Sequence, residues 1–239
     1  MDNSTTQTNN GKKEQVKQMF NNIAGKYDFL NHFLSLGIDH LWRRKLVKML
    51  SKEKPQYILD IATGTGDLAV ALAKCNPKEI IGADISEKML QVGIEKMKKK
   101  KLDQLIKLEL GDSENLKYAN NYFDAITVAF GVRNYEDLDK GLAEMYRVTK
   151  PKGSVWILEF SKPSVFPVKQ IYNFYFRFIL PTIGKLVSKD DEAYTYLPES
   201  VNLFPDGKDF LAHMSKVGYQ ENKQLKLSFG IASIYYGRK

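Results

Sequence analysis

Ile-Leu-Asp-Ile-Ala-Thr-Gly-Thr-Gly-Asp-Leu, residues 58–68, is the stretch from which the architecture of the chain can be predicted. Its first five residues form a short apolar run of the kind that makes a buried parallel strand. Gly64 and Gly66 follow as turn residues, and a helical pattern begins near Asp67. Because glycine has no Cβ, such a turn lets the backbone approach a ligand closely. The stretch therefore predicts a strand, a ligand-binding turn and a helix.

A second apolar run, residues 79–84, ends in Asp84. This acid follows the glycine turn by about 20 residues, the spacing at which a carboxylate accepts hydrogen bonds from the ribose hydroxyls of a nucleoside. The two runs together predict an adenosine-type cofactor at the carboxyl ends of a parallel sheet. A tight strand-to-helix turn without a ligand is the simpler alternative.

The charges near the turn indicate which cofactor is bound. Gly64, Gly66 and Ala69 satisfy the dinucleotide fingerprint, in which alanine is permitted at the third position. Asp60 and Asp67 flank the turn, however, and two carboxylates would repel a pyrophosphate. They suit a cationic ligand, which favours S-adenosylmethionine with its sulfonium and ammonium groups.

The length and composition of the chain limit the number of domains, the compartment and the partners that we expect. The chain has 239 residues, 43% of them hydrophobic, and predicts a disordered polar tail over 1–12 and one domain over 13–239. The single cysteine, Cys75, is expected to be buried and structural, which suits a reducing, cytoplasmic compartment. The net charge of +8 permits contact with anionic lipid or nucleic acid without choosing between them. We interpret its Lys96–Lys101 cluster as a solvated helix end.

Strand-like and helix-like patterns alternate from residue 56 onward. We predict strands near 56–61, 79–84, 105–110, 123–129 and 153–159, and helices near 67–75, 87–100 and 136–148. This alternation is typical of a parallel sheet covered by helices on both faces. Residues 13–52 form N-terminal helices, and 163–217 form a substrate-side helical insertion. Residues 222–229 and 231–237 are predicted to form an antiparallel hairpin at the sheet edge.

Several segments resemble one known family. Residues 59–67, 82–86 with Met89-Leu90, and 123–127 look like class I methyltransferase motifs. More specific segments are 20–28 (Phe-Asn-Asn-Ile-Ala-Gly-Lys-Tyr-Asp), 130–134 (Phe-Gly-Val-Arg-Asn), 158–163 (Leu-Glu-Phe-Ser-Lys-Pro) and 180–186 (Leu-Pro-Thr-Ile-Gly-Lys-Leu). Over roughly residues 14–239 the chain is similar to the demethylmenaquinone/2-polyprenyl-6-methoxy-1,4-benzoquinol C-methyltransferases of menaquinone and ubiquinone biosynthesis. It departs from them at Thr63, where many members have Gly, and at Ala129, where some have Ser.

The resemblance implies an α/β, class I methyltransferase (Rossmann-like) fold. Its mostly parallel sheet would have seven strands, with helices on both faces and an antiparallel C-terminal hairpin. It also implies S-adenosylmethionine as the cofactor and no metal. The cofactor-binding residues that it indicates are Asp60, Gly64, Thr65, Gly66, Asp84, Asp112 and Ser113. Among them, Asp84 would hold the ribose diol, and Asp112 and Ser113 would contact the adenine.

The implied reaction is the methylation of a ring carbon of a reduced quinone. Demethylmenaquinol is the preferred substrate, and a polyprenyl methoxybenzoquinol is the alternative. The catalytic candidates are Arg133, which would stabilise a developing phenolate, and Asn134, which would orient the ring hydroxyl. Asp67 is a second candidate for the proton acceptor, and His32 and His40 are weaker ones.

A polyprenyl substrate lies in the bilayer, yet no run in the chain is long enough to span one. Segment 166–187 is apolar and aromatic with interspersed lysine and arginine, so it would line the prenyl channel or rest in the membrane interface. We therefore expect peripheral contact with the inner face of the cytoplasmic membrane. An ordinary lid or dimer helix is the alternative for this segment, and a homodimer stays open.

Two other classes of function compete with this interpretation. One is another small-molecule methyltransferase, or a nucleotide-binding oxidoreductase sharing the same first half. The other is a non-enzymatic module that binds RNA or membrane, which charge alone suggests. The acids around the turn and the segments after residue 130 disfavour the first. No base-stacking motif supports the second, so we expect no nucleic-acid partner.

Overall fold

The computed structural model describes residues 11–28, 32, 35, 37–179 and 191–239. Residues 1–10 of the predicted disordered tail lie outside this description, as do 180–190 of the insertion, including the segment 180–186 that carries part of the resemblance. Within the described ranges, no helix has the length and apolar character needed to cross a membrane.

Seven strands form one sheet. They are β1 (Tyr57–Ile61), β2 (Glu79–Asp84), β3 (Ile106–Leu110), β4 (Phe123–Ala129), β5 (Thr149–Phe160), β6 (Gln220–Leu227) and β7 (Ala232–Arg238). Their order across the sheet is β3-β2-β1-β4-β5-β7-β6. The first five strands are parallel, whereas β7 runs antiparallel to both β5 and β6. The predicted fold class is confirmed, and the C-terminal hairpin occupies one edge of the sheet with β7 on its inner side.

Helices connect and flank these strands. They are α1 (Lys12–Ile23), α2 (Ile38–Leu50), α3 (Asp67–Leu72), α4 (Glu87–Lys100), α5 (Leu138–Val148), α6 (Val168–Phe174), α7 (Asp191–Leu203) and α8 (Lys208–Lys216). A 3₁₀ turn, Ala73–Cys75, extends α3, and a π-helical turn, Tyr175–Ile179, extends α6. Helix α5 begins two residues later than predicted because Asp137 caps it, its Oδ1 accepting from the Lys140 N–H at 3.0 Å.

The sheet separates two hydrophobic cores, as the alternation of side chains along β1 requires. Leu59 and Ile61 pack on one face with side chains from α5 and α8, while Ile58 packs on the other with side chains from α2 and α3. Cys75 belongs to this second core and is buried there, as predicted from the sequence. Both faces are thus sealed, and the carboxyl ends of the parallel strands are left to form a site.

Candidate active site

The glycine turn joins β1 to α3 in a backbone conformation that favours glycine. Gly64 and Gly66 have φ angles of 58° and 83°. A Cβ on Gly66 would lie 2.6 Å from Met97 Cε, the flexible end of a side chain of α4, so the positive φ is the stronger reason for glycine at this position. A Cβ on Gly64 would meet Met89 Cε, at 3.4 Å, and a ring carbon of Tyr27, at 3.8 Å. Gly64 is therefore less crowded than Gly66, although it is also buried.

Asp60 supports this turn from beneath. Its two carboxylate oxygens accept hydrogen bonds from the hydroxyls of Thr63, at 2.6 Å, and Thr127, at 2.7 Å. Complete burial raises the pKa of Asp60 to about 6, against the opposing effect of these two hydrogen bonds. Thr63, one of the positions at which the chain departs from the family pattern, thus has a defined role: it ties the turn to the end of β1.

Asp84 lies at the carboxyl end of β2 and is preorganised by backbone donors. Its Oδ2 accepts from the Gly64 N–H and its Oδ1 from the Ser86 N–H, both at 2.8 Å. Burial raises the pKa of Asp84, and these N–H groups act in the opposite direction. The predicted juxtaposition of turn and acid is present, since a direct hydrogen bond joins them.

A small cavity of about 60 Å³ opens beside Asp84. The carboxyl ends of the strands contribute Asp84, Asp112 and Ser113 to its wall, and Asn134 enters from the turn after β4. Helix α1 closes the opposite side; the residues that it contributes are Lys13, Val16 and Phe20. Three of the residues predicted to bind the cofactor, Asp84, Asp112 and Ser113, therefore line one cavity, with an N-terminal helix lying over it.

Helix α1 is attached to this site by an ion pair that the sequence did not reveal. Lys13 Nζ lies 2.9 Å from Asp112 Oδ2 and 3.2 Å from Glu114 Oε2. The neighbouring Lys12 donates to the main-chain oxygens of Arg133, at 3.2 Å, and Tyr135, at 2.6 Å. In this structure Asp112 thus neutralises a lysine at the place where an adenine is expected.

The N-terminal segment also contacts the glycine turn, through Lys96 of α4. The ammonium of Lys96 lies 2.6 Å from Asp28 Oδ2 and 2.7 Å from Asp67 Oδ1, and it donates to Thr65 Oγ1 at 2.9 Å. Thr65 in turn donates to Asp28 Oδ1 at 2.5 Å. Interpreting Lys96 as part of a solvated helix end was wrong, because its side chain is only 16% exposed and lies among these partners.

Asp67 is more constrained than a free proton acceptor would be. Burial alone would raise its pKa, but the charge and hydrogen bond of Lys96, together with Arg43 and His32, lower the pKa of Asp67 below its usual value. His32 Nε2 lies 3.2 Å from Asp67 Oδ2, and His32 Nδ1 lies 2.9 Å from Asp39 Oδ2. A carboxylate held ionised in this way is a weak base.

His32, Asp39 and His40 form a group whose nitrogen and carboxylate atoms all lie within 4.8 Å of one another. The contacts of Asp39 assign this group to the hydrogen-bond network around the turn. Its Oδ1 accepts from Ser35 at 2.6 Å, and its Oδ2 pairs with Arg43. The two imidazole rings stack with their centroids 4.1 Å apart.

Arg133 and Asn134 lie in the 3₁₀ turn Val132–Asn134 that follows β4. The Arg133 side chain is only 7% exposed, and its Nη1 pairs with Glu159 Oε1 at 2.8 Å and donates to the Phe130 oxygen at 2.5 Å. Burial raises the pKa of the fully enclosed Glu159, an effect that Arg133 opposes. Asn134 instead faces the cavity, and its Oδ1 accepts from Tyr196 of α7 at 3.0 Å.

Sequence reasoning missed five residues of this site: Lys13, Asp28, Lys96, Glu159 and Tyr196. Glu159 left a signal as an acid within an otherwise apolar predicted strand, and Asp28 as the last residue of the segment 20–28. The contacts of the others cross long separations along the chain, from 29 residues for Lys96 and Asp67 to 99 for Lys13 and Asp112. Hydrophobic periodicity carries no information about such pairs.

Comparison with known proteins gives a consistent result over nearly the whole chain. The ubiE/COQ5 methyltransferase family matches residues 7–239. A Bacteroides fragilis protein called demethylmenaquinone methyltransferase is 51% identical over 234 residues, which cover 97% of this chain and 96% of that protein. A Geotalea daltonii protein called ubiquinone/menaquinone biosynthesis C-methyltransferase is 45% identical over 230 residues, covering 95% and 97%.

Solved structures support the fold. A methyltransferase of Thermotoga maritima described as S-adenosylmethionine-dependent aligns with a TM-score of 0.67 at 21% identity, covering 94% of this chain and 99% of that one. The [4+2]-cyclase SpnF aligns with a TM-score of 0.68 at 15% identity, covering 96% of each chain. Since a cyclase shares the architecture, the fold alone does not define the reaction.

Proposed function

The chain belongs to the ubiE/COQ5 methyltransferase family, and we propose that it transfers a methyl group from S-adenosylmethionine to a ring carbon of demethylmenaquinol. The observation that carries this proposal is the 51% identity, over almost the full length of both chains, to the protein called demethylmenaquinone methyltransferase. The assembled turn, acid and cavity supply the matching geometry. The second candidate substrate is a polyprenyl methoxybenzoquinol, because a 45% identical relative is described for both quinones.

The residues around the cavity fit this cofactor in their chemistry. Asp84 lines the cavity and accepts a hydrogen bond from the buried N–H of Gly64, and a carboxylate at this place suits a ribose diol. The cavity of about 60 Å³ has room for a few water molecules and is too small for a nucleoside, and we propose that α1 moves outward when the cofactor binds. That movement would break the Lys13–Asp112 ion pair and free Asp112 for the adenine.

When bound, S-adenosylmethionine supplies an activated methyl group. In the proposed transfer the acceptor carbon would take the methyl group as its bond to sulfur breaks, S-adenosylhomocysteine would leave, and the ring would release one proton to solvent. The contribution of the protein is then mainly the alignment of carbon, methyl and sulfur. Of the three catalytic candidates, Asn134 lines the cavity and would orient the ring hydroxyl. Arg133 would act by charge from its buried position, and Asp67 would act electrostatically next to the turn.

The quinone content of a deletion strain, measured by mass spectrometry, tests the substrate. We expect demethylmenaquinone to accumulate and to disappear when the gene is restored. Accumulation of the unmethylated benzoquinone would favour the second candidate. An unchanged quinone profile would overturn both.

Calorimetry with S-adenosylmethionine tests the donor site. We expect Asp84→Ala to weaken binding by about 10- to 100-fold, the effect of losing hydrogen bonds to a charged group. Asp103→Ala, at an exposed position on the loop before β3, is the matched control and should bind like the wild type. Equal affinity in the Asp84 variant would remove this residue from the cofactor site.

We further propose that the protein contacts a membrane surface through the beginning of the insertion. Phe166 is 77% exposed, and Ile171, Phe174 and Phe178 are each more than half exposed. Lys169 in the same segment would add attraction to anionic lipid. Such a surface would let the prenyl chain of the substrate reach the site from the bilayer.

Sedimentation with anionic vesicles tests this contact. We expect binding at low salt that weakens as the salt concentration rises, and we expect Phe166→Ser with Phe174→Ser to weaken it further. Tyr122→Ser, at an exposed aromatic position just before β4, is the control. If the protein does not bind and light scattering shows a dimer that the double variant dissociates, the surface belongs to a homodimer instead.

A further inference from the structure

Helix α7 meets the turn after β4 through two side chains of the same face. Tyr196 Oη donates to Asn134 Oδ1 at 3.0 Å, and Ser200 Oγ accepts from Arg133 Nε at 3.3 Å. Tyr196 and Ser200 are four residues apart, and positions i and i+4 of a helix are neighbours on its surface. These two hydrogen bonds hold α7 against the two catalytic candidates of the turn, Arg133 and Asn134.

The guanidinium of Arg133 is held by contacts with other groups of the protein. Besides Ser200, it binds Glu159 and the Phe130 oxygen, and its guanidinium lies 5.5 Å from the centroid of the Phe160 ring. Turning it toward a substrate would leave Glu159 as a buried, unpaired carboxylate, which is strongly unfavourable. Arg133 is therefore poorly placed to bind the acceptor hydroxyl directly, which leaves its neighbours in the turn and on α7 as the candidates.

Tyr196 has the properties that this contact requires. Its partner Asn134 lines the cavity beside Asp84, so the hydroxyl of Tyr196 lies within hydrogen-bond reach of a cavity-lining side chain. The side chain is half-buried, and burial raises the pKa of Tyr196, which keeps the phenol protonated. A phenol that donates its proton to Asn134 retains oxygen lone pairs with which to accept another hydrogen bond.

We propose that the Tyr196 oxygen accepts the hydrogen bond of the acceptor's ring hydroxyl while its own O–H donates to Asn134. This inference rests on the function proposed above. The resulting chain, from acceptor O–H to Tyr196 to Asn134, increases the electron density on the acceptor oxygen and at the adjacent ring carbon. Tyr196 and Asn134 end the reaction unchanged, since the proton lost by the ring passes to solvent. Tyr196 is thereby both a substrate contact and a determinant of ring orientation.

The test compares wild type and Tyr196→Phe in steady-state methylation of demethylmenaquinol. The variant lacks one oxygen and keeps the ring that packs beside the turn. We expect kcat to fall about tenfold, as the loss of one hydrogen bond predicts, with the Kd for S-adenosylmethionine and the Tm unchanged. Tyr146→Phe, at a half-buried tyrosine beside Tyr219, is the control and should keep wild-type kinetics.

Two further arms separate a chemical role from a packing role. Asn134→Leu with Tyr196→Phe should lose less activity than the product of the two single losses, because the two residues act in one chain of hydrogen bonds. An acceptor methylated on that ring hydroxyl should react with wild type and with Tyr196→Phe at the same rate.

The outcomes distinguish this inference from the function on which it rests. Turnover by the wild type with equal turnover and KM in Tyr196→Phe would overturn the role of Tyr196 alone. Failure of the wild type to methylate demethylmenaquinol would overturn the proposed function and this inference with it. A lower Tm accompanied by unchanged kinetics at low temperature would assign Tyr196 to packing.

Discussion

The donor edge and the acceptor edge of the site are built in different ways. At the donor edge, Asp84 is held by backbone N–H groups of the glycine turn and of Ser86, and α1 is attached by a Lys13–Asp112 ion pair whose side chains are about one-third exposed. At the proposed acceptor edge, a buried Arg133–Glu159 pair fixes the turn to β5, and hydrogen bonds to Ser200 and from Tyr196 hold α7 against it. The proposed donor edge is therefore held beneath by main-chain donors and above by an ion pair that water reaches, whereas the proposed acceptor edge is held by a buried ion pair.

We expect the largest loss of stability when the buried ion pair at the acceptor edge is broken. Glu159→Ala leaves the Arg133 guanidinium buried without its counter-ion, and we expect the free energy of unfolding to fall by about 3–5 kcal/mol. Urea denaturation measures this loss. Glu95→Ala breaks a pair whose side chains are about 60% exposed and should cost less than about 1 kcal/mol. A similarly small cost for both variants would show that the acceptor edge is no more firmly held than the surface.

The second-largest effect on stability concerns Asp60, which supports the glycine turn, and this effect depends on pH. Because the pKa of Asp60 is raised from 3.8 to about 6, the folded state binds its proton more tightly than the unfolded state does. Its contribution to stability is therefore complete below pH 4 and is lost as the pH rises through 6. The total loss is roughly 3 kcal/mol, because each tenfold difference in proton affinity between the two states corresponds to about 1.4 kcal/mol.

Asp60→Asn removes this titration. We expect the difference in the free energy of unfolding, wild type minus variant, to decrease steadily between pH 4 and pH 7. Urea denaturation at four pH values gives the slope, and Asp103→Asn provides an exposed control. A difference that is constant across this range would mean that the carboxylate is solvated as well in the folded chain as in the unfolded one.

The smallest effect should be at the attachment of α1. Lys13→Ala breaks an ion pair that water reaches, so we expect the free energy of unfolding to fall by less than about 1 kcal/mol. The loss should shrink further in high salt, because screening already weakens the pair in the wild type. Denaturation at low and high salt measures it. A loss above about 2 kcal/mol would remove the contrast between a donor edge held by a pair that water reaches and an acceptor edge held by a buried pair.

This contrast also explains what could be predicted from the sequence. Strand β2 and helix α4 occupy the predicted 79–84 and 87–100, because periodicity and the Ser86 cap are local properties. Strand β5 begins at Thr149, four residues before its predicted start, because its pairing with β4 includes an irregularity across Pro151 and Gly153. A proline and a glycine in sequence indicate a turn, and only the neighbouring strand shows that the chain continues in the sheet.

The contacts of the site also fall into two groups, those that could be predicted from the sequence and those that could not. Gly64 and Asp84 could be paired from sequence because they terminate adjacent parallel strands, and their hydrogen bond follows from that topology. The partners of Asn134 and Asp112 could not be, since Tyr196 and Lys13 come from segments with no pairing rule. The assignments of Arg133, Asn134 and Asp67 to catalysis stay predictions until the variants are measured.

The reactivity of the buried Cys75 thiol can be used to follow local unfolding of the core that contains it. It is the single cysteine of the sequence, and burial raises the pKa of its thiol to about 11, so the folded chain presents almost no thiolate to a reagent. Its sulfur lies 3.9 Å from the Val47 oxygen in the core between α2 and α3. The rate at which this sulfur is alkylated therefore measures how often that core becomes exposed to solvent.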